Sequence, residues 1–200
     1  MKAKLLVRYI ALVSRLLRFR VNVLFNRNLQ CGPHVRIYGP LSISVDGPCE
    51  IGRDVVFIGK TAYNPAGVNR MCSLRVEEKG RLKIGDHVGF SGVSIVATES
   101  IEIGEYCMVG ANVSIWDTDF HPLEWVLRRQ NSCANTRHKG IHIGNDVFLG
   151  AGSIILKGVT IGDRAIIGAG SVVRGDIPAD EVWAGNPAIF IRKLGDETTR

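Results

Sequence analysis

The stretch 143-IGNDVFLGAGSIILKGVTIGDRAIIGAGSVV-173 decides the fold. An aliphatic residue falls at 143, 149, 155, 161, 167 and 173, and glycine follows four of the six. Four positions after each aliphatic stands a small or β-branched residue: Val147, Ser153, Val159, Ala165, Ser171, Ile177. The same phase appears earlier at Ile51, Ile84, Ile103, Val109 and Ile115. A period of six fits no helical repeat. It fits short strands joined by tight turns, three per coil, which is a parallel β-helix. On such strands the aliphatic residue and the one two before it both point inward. The glycines and polar residues fall on turns, where positive φ or a small side chain is required. One coil cannot bury its own face, so the coils must stack. An ordinary sandwich with recurrent turns does not produce six consecutive hexads in phase.

Outward from this block, the repeat breaks twice. The hexad beginning at Ile115 calls for another at 121, but the chain reads "WDTDFHP" over 116–122 and the phase is lost until Ile143. Residues 122–140, "PLEWVLRRQNSCANTRHKG", therefore form a loop thrown out of the coil, and loops on a rigid scaffold are where function concentrates. A second break over 57–80 is expected to shape a pocket.

Seven of the 25 basic residues and none of the 19 acidic ones precede Asn28, so the remainder is near neutral. "Basic protein" describes only the N-terminus, which argues against nucleic acid as a partner. Residues 1–30 read as an amphipathic helix, with Leu6, Ile10, Val13, Leu17 and Val21 opposite Lys4, Arg8, Arg15 and Arg18. No run reaches the ~20 apolar residues of a membrane span, and arginines interrupt what would be a signal peptide. Two roles stay open for residues 1–25: peripheral contact with an anionic membrane, or a plug for the open end of the coil. Five cysteines, an odd number without CxxC, point to a reducing, cytoplasmic setting and to no zinc site.

With "DTDFHP", the hexads and the terminal 177-IPADEVWAGNPAIFIRKL-194, residues 31 to about 195 resemble the hexapeptide-repeat acyltransferases. The similarity is greatest to the branch of maltose, galactoside and capsular-polysaccharide O-acetyltransferases. The resemblance implies an all-β, left-handed parallel β-helix over 31–184, a short helix within a tail at 185–200, and a homotrimer with sites between subunits. It implies acetyl-CoA as co-substrate, without a metal, and a saccharide hydroxyl as acceptor, within cell-surface polysaccharide synthesis. His121 is then the general base for direct attack without an acyl-enzyme, a task that suits a group titrating near neutrality. A carboxylate fixes its tautomer; Asp119 is the first choice and Asp117 the second. The pantetheine arm is expected along the small turn residues Gly150, Ala151, Gly168 and Ala169, and the nucleotide phosphates at Arg192 and Lys193. Ile189 stands where relatives often carry a basic residue, which makes Arg192 the better phosphate partner. Ser91 is a candidate acceptor contact. Trp183 either stacks on adenine or packs the end of the coil.

Two rival readings are N-acetylation of a nucleotide-linked amino sugar and a non-catalytic β-helix scaffold. A fold-mate holds a metal with three histidines in carbonic anhydrase chemistry. Here His138 and His142 follow the loop, but no third ligand accompanies them with His121. His87, His138 and His142 are read as surface or turn residues.

Overall fold

The computed structural model describes residues 28–195. The N-terminal segment 1–27 and its expected helix lie outside the described residues. The strands wind into a triangular prism with three parallel sheets as its faces. Sheet A stacks β1 (Leu29–Cys31), β4 (Cys49–Ile51), β7 (Arg81–Ile84), β10 (Ser100–Ile103), β13 (Ile141–Ile143) and β16 (Thr160–Ile161). Sheet B stacks β2 (Arg36–Tyr38), β5 (Val56–Ile58), β8 (Gly89–Ser91), β11 (Met108–Ala111), β14 (Phe148–Leu149) and β17 (Ile166–Ile167). Sheet C stacks β3 (Leu41–Val45), β6 (Cys72–Val76), β9 (Ser94–Ala97), β12 (Ser114–Trp116), β15 (Ile154–Ile155) and β18 (Val172–Val173). Each coil visits A, B and C in turn, so the prism has three edges, A to B, B to C and C to A.

The hexad positions are the core. Ile143, Leu149, Ile155, Ile161, Ile167 and Val173 are all fully buried, as are their inward partners Val147, Ser153, Ala165 and Ser171. Parallel register stacks like on like: Ile51, Ile84, Ile103, Ile143 and Ile161 form one column. The earlier coils carry larger side chains, with Phe57 stacked on Phe90 at 5.1 Å. Such columns bury apolar surface on every strand at ~25 cal/mol per Å².

The hexad glycines owe their place to stacking rather than to positive φ. A Cβ on Gly104 would lie 2.6 Å from the Gly144 carbonyl carbon, and one on Gly150 would lie 2.5 Å from Ala169 N. Positive φ instead falls two residues later on the A-to-B edge, at Asp54, His87, Tyr106, Asp146 and Arg164. There the polar residue after the glycine serves the neighbouring coil at several turns: Asn145 Oδ1 accepts from Glu105 N at 2.9 Å, and Asp163 Oδ1 accepts from Asn145 N at 2.7 Å.

Two expectations are corrected. The excursion expected over 57–80 is only 59–71, because Val56–Ile58 and Cys72–Val76 are strands of sheets B and C. Arg70 pins it: its guanidinium donates to the carbonyls of Gly92, Asn112 and Val113 and to Ser114 Oγ, at 2.7–2.9 Å. The tail is not a helix. β19 (Glu181–Gly185) joins sheet B beside β17 and turns at Asn186–Pro187 into the antiparallel β20 (Ala188–Lys193). Ile189, Phe190 and Ile191 are β-branched or aromatic, which suits a strand. A helix there would also leave the last coil's sheet without its hairpin cover. Trp183 packs on the end of the core, with Phe190 edge-on at 6.2 Å.

Candidate functional site

The break after β12 is a built structure. Asp117 turns inward and is fully buried. Its two carboxylate oxygens accept from Thr98 N at 2.7 Å and Glu99 N at 2.8 Å, on the preceding coil's C-to-A turn. Burial pushes its pKa up, against the lowering pull of those N–H groups. The next residues form a two-stranded neck with the returning chain. Lys139 N donates to Asp117 O, Asp119 N donates to Arg137 O, and Thr118 bridges His138 antiparallel. The pair is also joined through side chains, His138 Nδ1 lying 2.9 Å from Thr118 Oγ1.

Beyond the neck, His121 N donates to Asp119 O at 2.7 Å across Phe120, whose φ is +61°. A bond from residue i+2 to i over a positive φ is the rare, strained form of the three-residue turn, and strain of this kind concentrates at functional sites. Thr118 Oγ1 supports it by accepting from Phe120 N at 3.1 Å. From below, Lys157 Nζ donates to Asp119 Oδ1 at 2.5 Å, tying the turn to the next coil. The loop also carries a short helix, α1 (Trp125–Arg129), which Arg128 ties back by donating to Pro122 O at 2.9 Å.

His121 is thus exposed at the tip of a braced turn, and among the described residues neither Asp117 nor Asp119 is hydrogen-bonded to its imidazole. Both carboxylates are engaged elsewhere. The signal for Lys157 was the departure at 156–157 from the hexad's glycine, one coil below the break. The neck had no such signal, because it pairs residues twenty apart outside the repeat.

The sequence candidates divide between two edges of one chain. Asp117, Asp119 and His121 follow sheet C and stand on the C-to-A edge. Ser91 ends strand β8, and Gly150, Ala151, Gly168 and Ala169 follow strands of sheet B, so all five stand on the B-to-C edge. Ser91 is buried, its Oγ accepting from Asn64 Nδ2 at 2.7 Å, and it lines a cavity of about 210 Å³ with Met108 and Phe148. His121 lines no part of that cavity. Arg192 and Lys193 are exposed on β20. A larger cavity of about 730 Å³ lies on the C-to-A edge, between the neck, the outer face of sheet C and the turn at 77–79.

Among the described residues no group of three His, Cys, Asp or Glu is arranged to hold a metal, and no helix is long and apolar enough to cross a membrane. Cys49 and Cys107 are buried thiols whose pKa values are pushed up to about 12 and about 11, mainly by burial. Their packing role matches the buried, inert kind of cysteine.

Residues 140–175 match the bacterial transferase hexapeptide family (six repeats), and residues 81–116 match the hexapeptide repeat of succinyl-transferase. Galactoside O-acetyltransferase of Lactococcus lactis subsp. lactis (strain IL1403) is 41% identical over 104 residues, covering 52% of this chain and 48% of that protein. The matched chain thus spans about half the length of that curated relative. A solved galactoside acetyltransferase in complex with coenzyme A shares 25% identity at a TM-score of 0.58, over 94% of this chain and 82% of that one. The N-acyltransferase AntD from Bacillus cereus, in complex with dTDP and coenzyme A, superposes with a TM-score of 0.67 over 88% of each chain. At 19% identity it shares the fold alone. Both matched blocks of the coil are hexapeptide repeats of the transferase type.

Proposed function

We propose that this hexapeptide-repeat chain is an acetyltransferase that moves an acetyl group from acetyl-CoA to a saccharide hydroxyl, with His121 as general base. The observation that carries the reading is the braced turn. The fold interrupts an otherwise regular core to hold one exposed imidazole at the tip of a strained, cross-linked loop. The 41% identity to a galactoside O-acetyltransferase supports the chemistry. In the reaction His121 takes the acceptor hydroxyl's proton as that oxygen attacks the thioester carbon. The C–S bond then breaks, and the imidazolium returns the proton to the departing thiolate. Asp119, paired with Lys157, fixes the backbone carbonyl that orders the turn. Asp117 holds the coil edge beneath it.

The division of candidates between two edges supports a homotrimer, in which one subunit's C-to-A edge faces its neighbour's B-to-C edge. Acetyl-CoA would then run past Ala151 and Ala169, where side chains are small, with Arg192 and Lys193 toward its phosphates. Ser91 belongs to the neighbour's wall of such a site. The coil is left-handed in this reading, as in the proteins it resembles. A cytoplasmic setting, peripheral membrane contact through residues 1–25 and a role in polysaccharide synthesis complete the proposal on sequence pattern.

The test is thiol release from acetyl-CoA with a panel of glycosides and amino sugars, with the product's ester or amide identified by alkaline hydrolysis. An ester product that disappears in His121→Ala is the expected result. An alkali-stable amide would move the reading to N-acetylation. A His121→Ala variant with wild-type turnover would remove His121 from the chemistry.

A further inference from the structure

The geometry points to a knob-into-hole contact between copies of this chain, in which Trp125 of the excursion after β12 enters an apolar hollow on the outer face of a second copy's sheet B. It rests on the homotrimer proposed above and names the contact that holds the ring. The hollow is made by a missing side chain. The outward row of sheet B runs Val56, Gly89, Met108, Phe148 and Ile166, in register from coil to coil. Glycine inside a strand weakens it and marks places where another group approaches closely. Gly104 and Gly150 are small because neighbouring backbone leaves no room, but Gly89 is under no such demand. A Cβ on it would meet nothing within 4 Å, and its φ lies outside the left-handed region. It leaves a space of about 210 Å³ between Val56 and Ile58 of the coil before and Met108 and Phe148 of the coils after. Met108 is 67% exposed and Phe148 42%. Sheet A shows what a face kept in water carries, since its outward row includes Glu50, Lys83, Glu102 and His142.

The excursion supplies the matching tip. Leu123, Trp125 and Val126 are 63%, 58% and 44% exposed. Arg129 covers one face of the indole, its guanidinium carbon 4.6 Å from the ring centroid, and Arg128 donates to Pro122 O, so the ring stands on an ordered turn. Tryptophan is among the residues that dominate interface energetics when a pocket receives them. At the polar end of the hollow, where Asn64 Nδ2 donates to Ser91 Oγ, oxygen acceptors are present for the indole N–H. Matching heights make a second copy the occupant. The excursion leaves between β12 and β13, and the sheet B strands of those two coils are β11 and β14, which carry Met108 and Phe148. A closed ring with its axis along the coil keeps every copy at one height, so tip and hollow meet between each pair of neighbours and none is left over. Within one chain they cannot meet, because the C-to-A edge lies opposite sheet B.

Sedimentation and cross-linking of the full chain test the contact without any substrate. The wild type should sediment as a trimer. Trp125→Ser, which removes the knob, and Gly89→Leu, which fills the hole, should each weaken the assembly by about tenfold or more, with the far-UV spectrum of a folded coil unchanged. In a Cys133→Ser background, Trp125→Cys together with Met108→Cys should give covalent trimers with a short bismaleimide, and neither single cysteine variant should. A wild type that sediments as a monomer overturns the trimer and this contact together, while thiol release still judges acetyl transfer separately. A trimer indifferent to Trp125→Ser and Gly89→Leu, or one that yields no covalent trimer from the paired cysteines, overturns the contact alone. Anionic vesicles that pull down the wild type but not Trp125→Ser, with the trimer intact in both, would assign the tip to lipid and overturn it as well.

Discussion

The B-to-C and C-to-A edges of the prism are built from the same repeat and answer opposite demands. On the B-to-C edge the turns are small and stack backbone on backbone, so that a Cβ on Gly110 would lie 2.7 Å from Ala151 N. Its excursion at 59–71 is pinned to the coil by Arg70. On the C-to-A edge the repeat is broken. A buried carboxylate, a two-stranded neck and an ion pair rebuild locally what the lost hexads would have supplied. The contrast teaches that small side chains alone do not mark a ligand path here. The coil needs Gly150 small for its own packing, whether or not a cofactor passes.

The comparison can be broken by substitution. His121→Ala should cost ~10²–10⁴-fold in turnover with no change in melting temperature, since the exposed ring adds nothing to the core. A drop in both would mean that the turn itself had collapsed. On the other edge, Gly150→Val should lower the melting temperature first. The added carbons meet backbone at 2.5 Å that cannot rotate away, which costs ~1–3 kcal/mol. That is a melting shift of ~2–4 °C per kcal/mol, readable by calorimetry.

Asp117→Ala strips two buried N–H groups of their acceptor, at ~1–3 kcal/mol in total stability. The pH dependence carries a sign. Burial raises the folded-state pKa above the ordinary 3.8, so folding binds a proton between the two values. This group's contribution is fully present below 3.8 and is lost as pH rises through the raised value. Urea titrations should therefore show the wild type's advantage over Asp117→Ala greatest at the acid end. An advantage that grew with pH would mean that the N–H bonds outweigh burial. The smallest effect belongs to Arg164→Ala on the A-to-B edge. Its guanidinium donates twice to Asp180, at 2.5 and 2.7 Å, but both groups are exposed to water, which screens even a two-pronged pair. No measurable shift in the unfolding midpoint is expected, and a clear one would show that this edge is cross-linked too.

The coil was legible because its signal is local and repeated: every hexad aliphatic from Ile143 to Val173 is buried where the period placed it. The break that carries His121 was legible for the complementary reason, standing where the period fails. What was not legible depends on pairs distant in sequence. Lys157 reaches Asp119 over 38 residues, and Thr118 meets His138 over 20. The tail misled because a helix was expected from the resemblance, whereas Ile189–Ile191 follow strand chemistry and needed β19 as a partner. The hexad glycines were placed correctly on turns, but their reason, close stacking, appears only when neighbouring coils are seen together.

The central claim is that the two edges of different subunits complete one site, and subunit mixing tests it most directly. His121→Ala and Ala169→Trp should each be inactive alone, the first for want of the base and the second because its bulk blocks the proposed acetyl-CoA path. If a trimer's sites join one subunit's C-to-A edge to its neighbour's B-to-C edge, every hybrid holds one site with both edges intact. Random exchange at equal amounts should then restore about a quarter of wild-type thiol release. Hybrids demonstrated by native mass spectrometry but without activity would contradict the account, and would place the whole site within a single chain.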